Sequence, residues 1–473
     1  MKVSQKKIID LAVIGSGLSS LNFVDTYLSK KLKVHIISPD FDKSLDSKKN
    51  NNLNYLPSQM RGKQKLVDNF FFSNKLNLDK SCNALGALTA GGLSNFWGLQ
   101  LDNHFFKDQK ELNHKNFKSI QKEFIVFLKR FKLLGKFYYK NKTIYKKDYE
   151  IPKFLDNLLQ IKNKLFKCEK PILAYISEKN KKNNLNKVHE ESEKLVPKNF
   201  LKRVGRKKKI IYHNYYVDEI FKIKNLFKLV LKNKNNEKII FCKKIVFAAG
   251  SIATTKILMK FLKINSPVKI KHHPRLFGLF FSRKPINSNL NFTPSLLQIK
   301  SKSKNNSFVA DLRPGNKFIT ESLIEGFPFL IPFKFLINFL KNRLIFSNIL
   351  LDSSQSNMFL KRRKSDFTLY CNESKARKYL VLKSRQIFKF LYSNKIILPI
   401  YKTHYPGAGA DYHYFGSIPF KKKGKLAVNN NCQLLSEKNI YVVDGSIFDF
   451  KNNKYPLGMV IANARRIGKL LSK

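Results

Sequence analysis

Residues 11–20 read LAVIGSGLSS, a helical pattern continues to about Lys30, and VHII follows at residues 34–37. The two short apolar runs predict buried strands, and the glycine-rich segment after the first run predicts a tight turn. The order strand, turn, helix, strand is the βαβ unit that opens many α/β folds. The start of the chain therefore predicts a parallel α/β sheet.

The turn has the pattern G-x-G-x-x-S, formed by Gly15, Gly17 and Ser20. Between a strand and a helix, the first glycine permits the bend, the second lets a pyrophosphate approach the backbone, and the third small residue allows close packing. Free N–H groups and the helix dipole favour phosphate there. The acid expected about 20 residues later is absent from the strand end. Asp40, through a bent loop, or the hydroxyl of Ser38 are the two candidates for holding the ribose.

Composition limits the class of protein. The 473 residues are 43% hydrophobic, enough for one large domain or two to three ordinary ones, which excludes a largely disordered chain. The 91 Lys and Arg against 32 Asp and Glu give a net charge of +59. This charge would suit an anionic partner, but it is spread along the chain with abundant Asn, Ile and Phe, which favours the bias of an A+T-rich genome. The five cysteines show no paired spacing, so we expect reduced thiols, no disulfide framework and no metal.

The sequence also bears on location. No signal peptide and no uninterrupted run of about 20 apolar residues are evident, so we expect a cytoplasmic protein. The most apolar stretch, Phe327 to Leu351, is broken by prolines and basic residues. Two interpretations of it stay open: a buried wall of a substrate domain, or a basic amphipathic segment at a membrane surface.

Four further segments carry motifs: AGGLSNFWG at 90–98, IVFAAGSIATTKIL at 245–258, DYHYFGSIP at 411–419, and NIYVVDGSIF at 439–448 with its continuation through Pro456 to IANARR at 461–466. Together with the N-terminal turn, and in this order, they resemble the glucose-methanol-choline (GMC) family of flavoprotein oxidoreductases. The resemblance covers less than half of the chain. It implies FAD as cofactor and an α/β fold with a discontinuous, glutathione-reductase-like, Rossmann-like FAD-binding domain of residues 1–103, 204–262 and 401–473. An α+β substrate-binding domain would consist of residues 104–203 and 263–400.

The resemblance also implies positions for the cofactor-binding residues. It puts Gly15, Gly17 and Ser20 at the pyrophosphate, Val217 beside the adenine, Gly250 near the dinucleotide, Gly92, Ser94 and Asn95 near the isoalloxazine, and Asp444 and Gly445 near the ribityl phosphate. The main-chain N–H groups of Gly458 and Met459, in the helix after Pro456, would point at the flavin pyrimidine ring. A helix N-terminus there would stabilise the negative charge that reduction places around N1 and O2.

Two residues are assigned to catalysis by the same resemblance. His413 corresponds to the family's active-site histidine, whose neutral imidazole takes the hydroxyl proton while the hydride goes to flavin N5. The family has His or Asn before the proline that opens the last helix, whereas Tyr455 precedes Pro456 here. A phenol can orient a substrate oxygen but is a poor base, with a pKa near 10. Proton transfer is therefore assigned to His413, and His273 is interpreted as structural.

The resemblance thus implies an FAD-dependent oxidoreductase that acts on the CH–OH group of an alcohol or sugar. Its partners would be a small-molecule or glycan substrate and an unidentified electron acceptor, without nucleic acid. Two alternatives stay open. One is a flavoenzyme that reduces or isomerises an unsaturated or lipid-linked substrate, which Tyr455 and the apolar stretch favour. The other is a basic protein that binds a polyanion or an anionic membrane on the same scaffold.

Overall fold

The computed structural model describes residues 8–28, 33–39, 64–176, 194–204, 209–233, 236–286, 295–303, 307–315, 324 and 328–473. The α-helices in these residues are α1 (Leu18–Tyr27), α2 (Gln64–Ser73), α3 (His114–Phe131), α4 (Lys153–Asp156), α5 (Pro197–Val204), α6 (Ser251–Phe261), α7 (Lys334–Leu340), α8 (Ser374–Ser393) and α9 (Leu457–Leu471). The strands are β1 (Ile8–Ile14), β2 (Val34–Ile37), β3 (Leu76–Leu78), β4 (Gln100–Leu101), β5 (Gly135–Tyr139), β6 (Lys142–Lys147), β7 (Phe166–Glu169), β8 (Ile172–Leu173), β9 (Ile210–His213), β10 (Tyr216–Ile223), β11 (Leu226–Asn233), β12 (Asn236–Phe247), β13 (Val268–Ile270), β14 (Arg275–Ser282), β15 (Leu297–Ser301), β16 (Phe308–Pro314), β17 (Leu344–Leu351), β18 (Met358–Arg363), β19 (Asp366–Cys371), β20 (Ile397–His404) and β21 (Ile440–Val442).

A parallel sheet forms one half of the molecule. Strands β9, β2, β1, β12 and β21 lie side by side in this order and run parallel. Ile14 is opposite both Ile37 and Phe247, and Phe247 is opposite Val442, so β1, β2, β12 and β21 end along one edge. Antiparallel β11 and β10 extend the sheet beside the first part of β12. The predicted α/β fold class is confirmed.

Antiparallel sheets form the second half. The largest has the order β20-β14-β17-β16-β15-β7, and a smaller sheet has the order β13-β18-β19-β3, in which β3 pairs parallel with β19. Most of these strands come from the stretches that the sequence assigns to the substrate-binding part. The boundary expected between residues 400 and 401 falls inside β20. All of the domain boundaries stay predictions.

Helix α1 is held at the centre of the parallel half. All ten of its residues are buried, and it packs against α9 and α5. The hydroxyl of Thr26 donates a hydrogen bond of 3.0 Å to the carbonyl of Arg465 in α9, and a Cβ at Gly468 would clash with the Phe23 carbonyl. This close packing fixes the second half of α1 against α9.

The apolar stretch at 327–351 divides into two parts, and Phe327 lies outside the described residues. From Leu344 to Leu351 it is β17, most of whose residues are buried, as expected for the wall of a substrate domain. From Phe329 to Phe339 many large apolar side chains are exposed instead, so the wall interpretation is wrong for this part. Within the described residues, no helix is both long and apolar enough to cross a membrane.

Candidate active site

A cavity of about 780 Å³ lies along the carboxyl edge of the parallel sheet. The turns that follow β1, β2, β12 and β21 line one side of it, with Gly15–Gly17, Ser38, Gly250 and Asp444–Gly445. Residues of β14, β17 and β20 line the other side. The carboxyl edge of a parallel sheet is where α/β folds bind their ligands, because the strand ends and helix starts converge there.

The glycine turn after β1 has the geometry that its sequence predicts. Gly15 has a φ of 102°, and a Cβ there would clash with the Ala248 carbonyl at the end of β12. Gly17 is the residue before α1 and lines the cavity. Ser20 is fully buried, and its hydroxyl donates a hydrogen bond of 2.7 Å to the Gly15 carbonyl. Ser20 therefore fixes the turn from behind and does not line the cavity.

Hydrogen bonds join this turn to the second glycine-rich segment. The Ser16 hydroxyl lies 2.6 Å from that of Ser38 and accepts the N–H of Gly91 at 2.8 Å. The N–H of Leu18 donates to the Ser94 hydroxyl at 3.2 Å. The Ser16 hydroxyl therefore connects two segments that are 75 residues apart in the chain, and the two segments form one wall of the cavity.

Not every residue of that segment faces the cavity. Gly92, Ser94 and Trp97 line it. The side-chain amide of Asn95 instead donates to the Ala90 carbonyl at 2.8 Å, and the indole N–H of Trp97 donates to the Leu195 carbonyl at 3.1 Å. Asn95 therefore braces its own loop.

Asp444 ties the ends of β12 and β21 together. Its carboxylate accepts hydrogen bonds from the N–H of Gly250 at 3.0 Å, from the hydroxyl of Thr254 at 2.6 Å, and from the N–H and hydroxyl of Ser446 at 3.1 and 2.5 Å. Burial raises its pKa above the ordinary value, against these donors. Gly445 and Val217 also line the cavity, whereas Asp40 lies outside the described residues.

The last helix reaches the cavity with its first turn. Pro456, Leu457 and Val460 line it, whereas Gly458 and Met459 are buried beside it. The N–H of Met459 already donates to the Pro456 carbonyl at 3.0 Å. The roles of Gly458 and Met459 as donors to a flavin stay predictions.

His413 lies in the cavity wall with an imidazole that is neutral at physiological pH. Burial lowers its pKa to about 4, with the Arg275 guanidinium acting in the same direction and the Asp411 carboxylate opposing. Its Nδ1 has no hydrogen-bond partner among the described residues. A neutral imidazole is able to accept a proton from a ligand.

Tyr455 lies across from it, with ring centres 6.1 Å apart. Burial and the Asp311 carboxylate raise the pKa of its phenol well above the ordinary value. The phenol hydroxyl donates to Asp311 Oδ2 at 3.4 Å, and the Tyr455 N–H donates to Asp102 Oδ2 at 3.1 Å. Tyr455 therefore stays protonated. A protonated phenol is able to orient a substrate oxygen, whereas it cannot remove a proton.

Asp311 connects Tyr455 to the antiparallel sheet. This fully buried carboxylate of β16 also accepts from the side chain of Gln100 at 2.8 Å, from Nε of Arg313 at 2.9 Å, and from the N–H of Asn348 at 2.6 Å. The side chain thus joins both halves of the molecule beside Tyr455.

Sequence reasoning missed Arg275, Arg313 and Tyr412, which also line the cavity. The guanidinium of Arg275 lies between the rings of Phe277 and Tyr412, 4.3 and 4.4 Å from their centres, and donates to the Tyr412 hydroxyl at 2.7 Å. Tyr412 has a φ of 67°, in the left-handed region. The stacked arginine therefore holds the strained residue that precedes His413. Sequence reasoning gave no role to Arg313 or to Arg275, which follows the structural His273 by two residues, and only the strand pairing of β14, β16 and β17 brings them to the cavity.

Two groups of side chains near His413 have ligand atoms within 4.8 Å of one another, as a metal would require: His272, Cys371 and Glu373, and His273, Asp411 and His413. Other contacts already use both central histidines. Nδ1 of His272 lies 2.9 Å from Asp411, its Nε2 contacts Glu373, and these two carboxylates, against burial, raise its pKa well above the ordinary value. Nε2 of His273 donates to the Phe450 carbonyl at 2.6 Å, which agrees with its structural interpretation.

Comparison with solved structures gives a match over nearly the whole chain. Pyridoxine 4-oxidase from Mesorbium loti superposes with a TM-score of 0.59 and 13% sequence identity, covering 98% of this chain and 99% of that chain. No family model matches the sequence, and no curated protein matches it. Likeness at this identity shows the fold alone. The chain thus has the α/β fold of pyridoxine 4-oxidase, with a parallel sheet at its N-terminal end and a large antiparallel sheet beside it.

Proposed function

We propose that this protein is an FAD-dependent oxidoreductase of the GMC type that oxidises the CH–OH group of an alcohol or sugar. The observation that carries the proposal is the pairing of His413 and Tyr455 in a cavity that the glycine turn also lines. The structural neighbour is by its name an oxidase of pyridoxine, which supports oxidation as the reaction class.

The residues around the cavity fit FAD. Gly250 has a φ of 84°, and a Cβ there would meet nothing within 4 Å, so the backbone leaves open space where a ligand would run. Gly15 to Gly17 and the start of α1 would hold the pyrophosphate, with Val217 beside the adenine and Ser38 at the ribose. Gly92, Ser94 and the Asp444–Gly445 turn would line the flavin half. Bound FAD would supply a hydride acceptor.

The chain's own residues handle the proton and the orientation of the substrate. His413, neutral because it is buried, takes the proton of the substrate hydroxyl. The phenol of Tyr455 keeps its own proton, and its single O–H, which faces Asp311 in the free protein, would turn to the substrate oxygen and donate to it. Phe277, Phe346 and Leu350 of the antiparallel sheet line the opposite wall of the cavity with apolar side chains.

A second candidate function is reduction or isomerisation of an unsaturated substrate by the same cofactor. The protonated, buried phenol of Tyr455 favours it, since such a reaction needs a proton donor beside the flavin. This reaction does not require a base for a hydroxyl group. Replacement of His413 therefore distinguishes the two functions.

The visible spectrum of the purified protein tests the proposal. Bands near ~370 and ~450 nm are expected for bound oxidised flavin, and an alcohol or sugar from a panel should bleach them without oxygen. A colourless protein that takes up no FAD on reconstitution would refute the proposal. Bleaching by reductants but by no alcohol or sugar would favour the second candidate. Retention on nucleic acid that falls steeply with salt, without a chromophore, would favour the polyanion alternative.

A further inference from the structure

An exposed apolar surface precedes β17. The 3₁₀ helix Pro328–Phe333, helix α7 and the turn Lys341–Arg343 follow one another without a break. Large apolar side chains are exposed along them: Phe329 (70%), Ile331 (58%), Phe333 (54%), Phe335 (79%), Leu336 (42%) and Phe339 (75%). We call these six residues the aromatic patch. Single exposed apolar residues are ordinary, but a contiguous patch marks an interaction surface.

The two most exposed members of the patch lie on one face of α7. Phe335 and Phe339 are four residues apart, so their side chains project in the same direction from the helix. Leu336 lies beside them in the same turn. This face is a continuous apolar stripe, which is the feature that lets a short helix lie in the plane of a membrane surface.

Basic side chains lie within the patch and on its C-terminal side. Lys334, Lys341 and Arg343 are within or directly after it, and no Asp or Glu occurs between residues 328 and 351. Arg343 donates a hydrogen bond of 2.6 Å to the Arg283 carbonyl, which brings the exposed pair Arg283–Lys284 alongside. An apolar stripe with a rim of cations matches a bilayer that carries anionic headgroups.

The patch is close to the cavity along the chain. β17 begins directly after Arg343, and its residues Phe346, Asn348 and Leu350 line the cavity. Two strand residues, about 7 Å, separate the start of β17 from Phe346. A surface that held the patch would therefore bring this wall of the cavity near the lipid.

We propose that the aromatic patch inserts into the surface of an anionic phospholipid bilayer and anchors the protein there peripherally. A second copy of the chain is a poorer occupant, because a two-fold contact would bring the cationic rims of both copies together. The proposal does not depend on the bound cofactor or on the reaction.

Cosedimentation of the full-length protein with vesicles tests the proposal. Vesicles of phosphatidylcholine and phosphatidylserine in equal parts should bind the protein, and vesicles of phosphatidylcholine alone should bind it more weakly. The F335S/F339S variant should lose about 100-fold in partitioning, since burial of each Phe side chain contributes to binding. The K334Q/K341Q variant should lose the preference for phosphatidylserine.

The matched control is F72S/F221S, which removes two exposed phenylalanines outside the patch and should leave vesicle binding unchanged. Equal binding by the wild type and F335S/F339S would overturn the proposal, as would a wild type that binds no vesicles. A wild-type dimer in light scattering that F335S/F339S converts to monomer, without vesicle binding, would assign the patch to a second copy instead. Flavin absorbance of every variant is recorded alongside, so that failure here is distinct from failure of the proposed function.

Discussion

The imidazole of His413 stands edge-on to the phenol of Tyr455, with ring centres 6.1 Å apart and planes at 80°. Burial separates the pKa values of the two groups. It lowers the pKa of His413 to about 4 and raises that of Tyr455 well above its usual value. At neutral pH the pair therefore contains a base without a proton and an acid that keeps its proton. Titratable neighbours whose pKa values are driven apart are a recurrent arrangement in acid–base catalysis.

Replacement of His413 by Ala should lower kcat for alcohol oxidation by about 100-fold or more, because the hydroxyl proton loses its acceptor. Flavin absorbance should stay at the wild-type level, since the cofactor is assigned to other residues. His114→Ala, at an exposed histidine of α3, is the control and should leave kcat unchanged. A loss of less than a few-fold in the His413 variant would remove this residue from proton transfer.

Replacement of Tyr455 by Phe should have a smaller effect. The variant loses one hydrogen bond to the substrate oxygen, and the net contribution of such a bond is about 1 kcal/mol, or about fivefold in kcat/KM. The shape of the pH profile should not change, because the buried phenol does not ionise in the range of measurement. A loss as large as that of His413→Ala, or a lost alkaline limb, would show that the phenol transfers the proton.

The acid limb of the pH profile should report His413. Only the neutral imidazole accepts a proton, so kcat/KM should be constant at neutral pH and fall as the pH drops through about 4. The same shift affects stability. An unfolded histidine titrates near 6.5, so the stabilisation due to the neutral buried ring is complete above about pH 6.5 and is lost progressively as the pH falls towards 4. An acid limb of kcat/KM that is centred near pH 6.5 and disappears in His413→Ala would contradict the lowered pKa of His413.

The residues predicted from local motifs and those that the motifs missed differ in what holds them in place. Turn geometry at strand ends depends on neighbouring residues, so a local motif predicts it. The residues predicted in this way that line the cavity include Gly15, Gly17, Gly92, Ser94, Gly250, Asp444 and Gly445. Ser20 and Asn95 share the same motifs but fix the backbone from outside the cavity. Arg275 and Asp311 reach the site through the pairing of β14 and β16 with β17, over sequence separations that no local pattern encodes.

Replacement of Gly15 by Ala should abolish flavin binding. The new Cβ would meet the Ala248 carbonyl, and φ at this position is 102°, so the turn cannot keep both its shape and its contact with β12. Gly424→Ala is the matched control, with a φ of 127° on an exposed turn where the Cβ would meet only Ala427 at 3.6 Å. Gly424→Ala should lower the stability by about 1 kcal/mol and leave the ratio of flavin to protein absorbance unchanged. A full flavin complement in Gly15→Ala would refute the assigned role of the turn.

Replacement of Asp311 by Asn should lower both stability and activity. The carboxylate is fully buried and accepts hydrogen bonds from Gln100, Arg313 and Tyr455, so an amide would remove the charge that balances the guanidinium and would oppose the remaining donors with its own N–H groups. Loss of one partner of a buried ion pair costs about 3 kcal/mol, which denaturant unfolding would measure.

Asp10→Asn is the control for that loss, since Asp10 pairs with Lys243 at 2.9 Å on the surface and such pairs contribute about 0–1 kcal/mol. In the Asp311 variant the guanidinium of Arg313 loses its buried counter-ion, so kcat should fall further than in Tyr455→Phe, which leaves the ion pair in place. If Asp311→Asn unfolds no more easily than Asp10→Asn and keeps full activity, the carboxylate does not position the catalytic pair. A fall in stability with unchanged kcat would restrict Asp311 to holding the two halves of the molecule together.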